Sequence, residues 1–265
     1  MQTICDMYGY SRQAYYKQKN AELHRMIDEQ RVLSHVHGIR HRQPRVGGKK
    51  LHRMLQTAGI NIGRDQLFCI LRENKLLSRR KRRSVKTTNS RHRFRKYKNL
   101  IRDLKLTAPN QVYVSDITYI DTLDGFCYLS LMTDAYSRKV VGWDLSNSLS
   151  FDGVLRALKM AISQLGPNVT LIHHSDRGIQ YCSQKYIEEL EKHNIQISMC
   201  EENHCYENAI AERVNGILKV EFLLDCKLRS IEIAKELIAQ AIQIYNNERL
   251  HLSLGFKTPS VVHAA

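Results

Sequence analysis

The sequence predicts an α/β domain preceded by a small all-α domain, and three features of the chain support this prediction. Residues 21–76 carry apolar residues at helical spacing, interrupted by glycine-containing turns. Residues 111–147 contain three runs rich in β-branched and aromatic residues, which are typical of strands. Helical and strand patterns then alternate from residue 151 onwards. With 265 residues, the chain is long enough for two domains of this kind.

The composition indicates a protein whose partner is a polyanion. The formal net charge is +15, and the hydrophobic fraction of 43% is sufficient for a real core. No apolar run reaches the roughly 18 residues that a membrane span requires, and the first residues lack the apolar segment of a secretory signal. The seven cysteines are odd in number and scattered, as is typical of reduced thiols. We therefore expect a cytoplasmic, nucleoid-associated protein that does not bind a membrane.

Residues 1–76 have the pattern of a helical DNA-binding region. Ser11 is suited to cap a first helix, although an irregular terminus is an equally good interpretation of residues 1–18. Two later helices are joined by a turn at residues 58–63, which is the helix-turn-helix arrangement. The last helix of such a unit reads the major groove, and its candidate DNA contacts are Arg64, Gln66 and Arg72. Many three-helix domains share this pattern, so it does not by itself establish DNA binding.

A basic segment follows the helical region. Residues 75–98 hold twelve lysines and arginines and no acidic residue. Such a block does not pack into a core, so it is either a solvated linker or an arm that binds phosphates, and we favour the arm. We predict that residues 77–105 form a basic linker, whose densest cluster of candidate DNA contacts is Arg79, Arg80, Lys81, Arg82 and Arg83.

The elements of the α/β domain can be placed from the periodicity of the chain. We expect strands at residues 112–121, 126–133, 138–145, 169–174 and 195–199, and helices at residues 151–165, 183–192, 203–221 and 231–246. Asp124 and Gly125 form the turn signal of a hairpin between the first two strands.

Within this domain, the helix at residues 203–221 has two different faces. At 100° per residue, one side carries a polar ridge whose members fall within about 60° of each other: Asn208, Glu212, Asn215 and Lys219. The opposite side carries an apolar stripe of Ile210, Val214 and Ile217, which is suited to face a core. A solvated helix surface has the same pattern, so the ridge becomes informative only when it is combined with other residues.

Two aspartates upstream supply that combination. Asp116 lies within a predicted strand and Asp176 follows another, where an unpaired charge is costly to bury. Between Asp116 and Asp176 lie 59 residues, and between Asp176 and Glu212 lie 35. Carboxylates from separate elements that converge on divalent metal ions explain this arrangement better than folding alone does.

Asp116, Asp176 and Glu212 resemble the DDE triad of transposases and retroviral integrases. The chain is most similar to the second-frame proteins (OrfB) of the copy-out/paste-in insertion-sequence transposases, over residues 1–262. The resemblance is carried by the segments VSDITYI, YLSLMTDAYSRKVVGW, HHSDRGIQYCS, YENAIAERVNGILK and YNNERLHLSLGFKTP. One departure is the loop at Asn203, His204 and Cys205, where the family usually has a small Gly-Asp or Gly-Asn turn.

This resemblance implies a fold and an activity. It implies a helix-turn-helix domain followed, over residues 106–262, by an RNase H-like catalytic domain, and the predicted order of strands and helices fits that fold. It also implies metal-dependent DNA strand cleavage and strand transfer, with two Mg²⁺ or Mn²⁺ ions held by the triad. Lys219 occupies the position of a basic residue that is associated with DNA. The implied partners are element and target DNA, further copies of the chain, and the upstream-frame protein of the same element.

Two other functions remain open at this stage. A non-catalytic DNA-binding protein would need only the helical region and the basic arm, but the three carboxylates with family spacing are then unexplained. An RNase H-like nuclease would cut without joining, but the many basic residues outside the catalytic domain favour a transposase.

Several further polar residues have alternative interpretations. Asp134 is suited to stabilise a turn rather than to bind metal. Of His173 and His174, one should face the core and the other the cleft, because neighbouring strand residues point to opposite faces. Zinc sites need four ligands with paired spacing, which neither the Cys200–Cys205 segment nor the His37–His41 segment provides. Arg249 and His251 could either bind DNA or cap the last helix.

Overall fold

The structure is a computed structural model that describes residues 7, 9–78, 95–166, 169–201 and 208–265. The chain divides into two compact units, Met1–Arg79 and Arg80–Ala265. The boundary falls in the basic segment, and the predicted contacts Arg79, Arg80, Lys81, Arg82 and Arg83 lie outside the described residues. The same is true of the loop that contains Asn203, His204 and Cys205.

In the described part of the first unit, the helices are α1 (Arg12–Arg42), α2 (Gly48–Thr57) and α3 (Arg64–Glu73). Ser11 caps α1 as predicted, because its hydroxyl accepts a hydrogen bond from the backbone N–H of Ala14 at 3.1 Å. The second half of α1 packs on α2 and α3 through a buried cluster that includes Val32, Val36, Leu51, Leu55, Leu67 and Leu71. The glycines before α2 and α3 provide their N-caps.

The second unit is built around a five-stranded sheet with the order β3-β2-β1-β4-β5. Its strands are β1 (Val112–Thr122), β2 (Gly125–Asp134), β3 (Val140–Ser146), β4 (Ile172–Ser175) and β5 (Gln196–Met199). The first three strands form an antiparallel meander, and β4 and β5 run parallel to β1. The predicted strand at residues 169–174 is shorter and later than expected, because β4 pairs with β1 only over Val112–Ser115.

Helices cover both faces of the sheet: α4 (Phe151–Ile162), α5 (Gln184–Lys192), α6 (Ala209–Glu221) and α7 (Ile231–Asn247), with a short α8 (Pro259–His263) at the end. On one face, Leu129 and Leu131 of β2 pack with α6 and α7. On the other face, Met132 packs with α4 and α5, as the alternation of strand side chains requires. Val214 and Ile217 of the predicted apolar stripe belong to the first of these cores.

The packing of α4 on β3 depends on a glycine. A Cβ atom at Gly142 would overlap the backbone carbonyl of Ala157, so the helix approaches the strand through the space that this residue leaves open. In the part of the chain that the structure describes, no helix combines the length and the hydropathy needed to cross a bilayer.

Candidate active site

Asp116 occupies the middle of β1, opposite Leu131 of β2. Its side chain is half-buried and is held by two donors. The backbone N–H of Ile117 donates to Oδ1 at 2.9 Å, and the side-chain amide of Asn215 donates to Oδ2 at 2.7 Å. The carboxylate therefore has a fixed orientation, because each of its oxygens accepts a separate hydrogen bond.

Asp176 directly follows β4, whose last residue, Ser175, is paired with Ser115. Because β1 and β4 are parallel, Asp116 and Asp176 each follow one of these paired serines at the same level of two neighbouring strands. The backbone N–H of Gly178 donates to Oδ1 of Asp176 at 2.9 Å. A Cβ atom at position 178 would lie 2.9 Å from that same oxygen, so a larger residue here would displace the Asp176 carboxylate.

Glu212 lies in the first turn of α6, and its side chain is exposed. Its charge still reaches β1, as the electrostatics of Asp116 show. Burial raises the pKa of Asp116 to about 7, and the charges of Asp176 and, to a smaller extent, Glu212 act in the same direction. The hydrogen bonds from Asn215 and Ile117 oppose the rise. The three carboxylates are far apart in the sequence, but in the fold the charges of Asp176 and Glu212 act on Asp116.

These carboxylates suit a hard divalent cation. All of their donor atoms are oxygens, which Mg²⁺ and Mn²⁺ prefer, and a cation would offset both the burial and the neighbouring negative charges that raise the pKa of Asp116. Among the described residues, however, no group of three or more His, Cys, Asp and Glu side chains forms a ready-made metal cluster. The exposed position of Glu212 agrees with that observation, because two carboxylates are fixed by the sheet and the third is not.

The other members of the polar ridge contact β1 directly. The side-chain amide of Asn208 donates to the carbonyl oxygen of Ser115 at 3.0 Å. The ammonium of Lys219 donates to the carbonyl oxygen of Tyr119 at 2.8 Å and to the hydroxyl of Thr118 at 3.2 Å, and it lies 3.9 Å from the centroid of the Tyr119 ring. The phosphate contact of Lys219 stays a prediction. The contacts of Lys219 with β1 are a separate observation, which the sequence did not predict.

Asn215 is a site residue that the sequence reasoning did not select. The sequence identifies it only as a member of the polar ridge, three residues after Glu212. Its contact with Asp116 joins residues 99 positions apart in the chain, so only the fold brings them together. The available signal was that an amide in this position shares a helix face with the candidate carboxylate.

The two histidines before Asp176 differ from the prediction, because both are buried. His173 contacts the hydroxyl of Tyr186 through Nε2 at 2.9 Å, and burial lowers its pKa to about 3. On the other face, Nδ1 of His174 lies 2.8 Å from the hydroxyl of Ser198, and Nε2 lies 3.3 Å from the sulfur of Cys200. The expected cleft-facing histidine is absent from this pair because β4 is covered on both faces.

Asp134 and Arg249 have structural contacts. Asp134 is fully buried and accepts hydrogen bonds from the backbone N–H groups of Asn110 and Ser137 at 2.7 and 2.6 Å, which confirms the turn-stabilising interpretation. Arg249 is buried and forms a bidentate ion pair with Glu221 at 2.7 and 2.8 Å. Burial of its guanidinium disfavours a DNA contact. His251 is also buried, edge-to-face against Tyr245.

The candidate DNA contacts of the first unit are exposed on α3. Arg64 pairs with its neighbour Asp65 at 2.8 Å, and both side chains are largely exposed. Gln66 and Arg72 are also exposed, while Leu67, Ile70 and Leu71 of the same helix face the core. The helix therefore presents a polar face that is available to a partner.

Comparisons with known proteins agree with this arrangement. Residues 107–205 and 193–259 match two family profiles, both described as integrase core domain. An insertion element IS600 uncharacterized 31 kDa protein from Shigella sonnei is 35% identical over 262 residues, which cover 97% of this chain and 96% of that protein. The transposase for IS904 from Lactococcus lactis is 31% identical, and the match covers 81% of this chain and 86% of the relative.

A third relative and a solved structure support the same conclusion. Transposase InsF for insertion sequence IS3A from Escherichia coli is 32% identical over 81% of this chain and 75% of its own length. The simian T-cell lymphotropic virus intasome structure has a TM-score of 0.53 at 18% identity and covers 87% of this chain and 73% of that chain, which shows a shared fold. The chain therefore has the predicted RNase H-like, integrase-type catalytic fold and belongs to the insertion-sequence transposases of the DDE integrase superfamily.

Proposed function

We propose that this transposase cuts and joins DNA by two-metal phosphoryl transfer, with Asp116, Asp176 and Glu212 as the metal ligands. Two divalent ions, Mg²⁺ or Mn²⁺, would lower the pKa of an attacking water or 3′-hydroxyl and stabilise the leaving 3′-oxygen. The observation that supports this assignment is the environment of Asp116, whose pKa is raised first by burial and then by the charges of Asp176 and, least of all, Glu212. A buried aspartate that also lies within reach of two further carboxylates is explained by a need to hold positive charge.

The three proposed ligands would have different roles, because two of them are oriented by hydrogen bonds and the third is exposed. Asp116 is oriented by Ile117 and Asn215, and Asp176 is oriented by Gly178, so both are ready to bind before any substrate arrives. Glu212 is exposed, and it would complete the site on the side that a phosphodiester can approach. None of the three acts as a covalent nucleophile. The nucleophile is water in strand cleavage and the DNA 3′-hydroxyl in strand transfer.

DNA would be held mainly outside this site. We propose that Arg64, Gln66 and Arg72 of α3 contact a terminal repeat of the element and that the basic arm, which includes Arg79 to Arg83, binds phosphates. Phosphate contacts position the DNA, and base contacts from α3 would specify the sequence. The active species would be a homo-oligomer, joined by the upstream-frame protein of the same element.

The test is nicking of a supercoiled plasmid that carries the DNA flanking the gene, in the presence of Mg²⁺ or Mn²⁺. Wild-type protein is compared with Glu212→Gln, which keeps the shape of the side chain but removes a charged ligand. We expect metal-dependent cleavage that falls at least 100-fold in the variant, on the order of the loss when a transition-state charge stabiliser is removed. The cleaved 3′ ends should map to the ends of the element.

Other results would reassign the protein. Equal cleavage by both proteins would reject Glu212 as a ligand. Cleavage without transfer of the 3′ ends to a second DNA would indicate a nuclease. Binding of the flanking DNA without cleavage, even when the upstream-frame protein is added, would indicate a DNA-binding protein that lacks catalysis.

A further inference from the structure

A pocket of about 440 Å³ lies in the second unit, between the turn that joins β2 to β3 and the stretch of chain after α7. We call it the turn pocket. Its polar wall includes Tyr136 and Arg138 of the turn and Lys257 of the later stretch. The remaining wall is mainly apolar and includes Leu106, Ala135, Leu254 and Val262. Pockets of this size hold small ligands or single residues of a polymer, and the two cations favour an anionic one.

The two cations of the turn pocket have no acidic partner in the described part of the chain. Lys257 is exposed, and its ammonium forms neither an ion pair nor a hydrogen bond with a described residue. The guanidinium of Arg138 donates only to the carbonyl oxygen of Ala135, so further N–H donors are left on it. Asp134, the acid at the start of the same turn, is fully buried and accepts hydrogen bonds from other groups of the fold. The positive charge of the pocket is therefore available to a ligand.

The backbone of Arg138 is fixed in an uncommon conformation. Its φ is +66°, in the left-handed region that residues with a side chain rarely adopt. Its N–H donates to the carbonyl oxygen of Asp134 at 2.9 Å, and its carbonyl oxygen accepts a hydrogen bond from the hydroxyl of Tyr245 at 2.9 Å. Such conformations persist where the surrounding structure imposes them, and they are concentrated at ligand sites. The fold thus holds the guanidinium at the pocket wall.

The turn pocket lies on the same side of the sheet as the candidate active site. The backbone N–H of Ala135 donates to the carbonyl oxygen of Val112 at 2.8 Å, and Val112 lies four residues before Asp116, about 13 Å along the strand. Val112, Val114 and Asp116 share one face of β1, because strand side chains alternate. Ala135 and Leu106 of the pocket pack with Val112 and Val114 on that face. At about 3.4 Å per nucleotide of one strand, the pocket is roughly four nucleotides from Asp116.

We propose that the turn pocket binds one unpaired nucleotide of the DNA strand on which this transposase acts. Arg138 and Lys257 bind its phosphate, the first through a planar set of N–H donors and the second as a point charge. Tyr136 and the apolar wall hold the base, because every base has a face that can stack on an aromatic ring. An acidic peptide would satisfy the two cations but offers no flat ring to Tyr136.

The test measures the affinity of full-length protein for two DNAs as a function of salt. One is a blunt duplex of the element end, and the other is the same duplex with a single-stranded extension of about six nucleotides on either strand, which is long enough to span 13 Å. The variants are Arg138→Gln, Lys257→Gln and Tyr136→Ala. Lys139→Gln is the matched control, because it removes one positive charge from the same turn without lining the pocket. All titrations contain EDTA, so their outcome does not depend on the proposed metal ligands.

We expect wild-type protein to bind the extended duplex at least about 5-fold more tightly than the blunt duplex. Tyr136→Ala should weaken binding of the extended duplex alone, by about 5- to 150-fold, as expected for the loss of one stacked base. Lys257→Gln and Arg138→Gln should each lower the salt slope on the extended duplex by about 0.7. Lys139→Gln should keep the preference for the extended duplex. Because Lys257 is exposed, its variant tests the pocket even if Arg138→Gln does not fold.

Other results would overturn the proposal. Equal affinity of wild-type protein for the two DNAs, or equal effects of Lys139→Gln and Lys257→Gln, would reject a nucleotide pocket. Binding of free deoxyadenosine monophosphate without a preference for the extended duplex would indicate a site for a soluble nucleotide. Binding of polyglutamate that depends on Lys257, with unchanged DNA affinities, would indicate an acidic protein partner. A lower melting temperature of Arg138→Gln, with wild-type DNA binding by Lys257→Gln and Tyr136→Ala, would show a role in the turn alone.

Discussion

At the scale of single residues, Asp116 shows how the candidate site lowers the stability of the fold. Its pKa of about 7 in the folded chain lies above the ordinary value of 3.8. The unfolded chain therefore releases this proton near pH 4, whereas the folded chain retains it until about pH 7. Between these values the native state binds more protons, so stability falls as the pH rises.

We predict that Asp116→Asn reduces this loss of stability in metal-free protein. At pH 8 the variant should be more stable than wild type by about 1–2 kcal/mol, which is less than the full pKa shift because the carboxyl is only half-buried. Melting temperatures measured from pH 5 to pH 8 in the presence of EDTA would show the difference. Added Mn²⁺ should stabilise wild type but not the variant. Parallel pH profiles for the two proteins would contradict the assignment.

At the scale of elements, the position of α4 on β3 depends on Gly142. We predict that Gly142→Ala destabilises the protein by about 2–4 kcal/mol, because the added methyl group meets the backbone of Ala157 rather than a movable side chain. Gly216→Ala is the matched control, since nothing lies within 4 Å of a Cβ atom at this site in α6. That change should stabilise the helix by up to about 1 kcal/mol. Denaturant unfolding of both variants would measure the contrast, and an equal effect of both would reject the packing argument.

The elements also show what the sequence could and could not predict. Helix and strand patterns located most elements, and the spacing of Asp116, Asp176 and Glu212 identified three carboxylates whose charges interact in the fold. Their role as metal ligands stays a prediction. The contacts of Asn215 and Lys219 with β1 could not be read from the chain, because they depend on how far β4 extends along β1. For the same reason, the alternation of His173 and His174 predicted opposite faces correctly but did not show that both faces are covered.

At the scale of the whole molecule, the two units are expected to contribute separately to DNA binding. We predict that Arg72→Ala on α3 weakens binding of the element's terminal repeat, by about 1–3 kcal/mol if it contacts a base. The proposed metal ligands all lie in the second unit, so the Mn²⁺ concentration at the midpoint of thermal stabilisation should not change. Binding titrations against the terminal repeat and against unrelated DNA would check this. An equal loss on both DNAs would indicate a phosphate contact instead.

The buried ion pair between Glu221 and Arg249 has a consequence for how this protein can be lost or engineered. Glu221 ends the helix that carries Glu212, and Arg249 lies in the stretch of chain after α7. A premature stop codon after Asn247 would leave all three carboxylates in place but would remove Arg249, and with it the bidentate ion pair that this residue forms with the partly buried Glu221. We expect such an allele to keep the three candidate carboxylates and still encode an inactive protein, so the reading frame beyond residue 247 should indicate a functional gene copy better than these carboxylates alone.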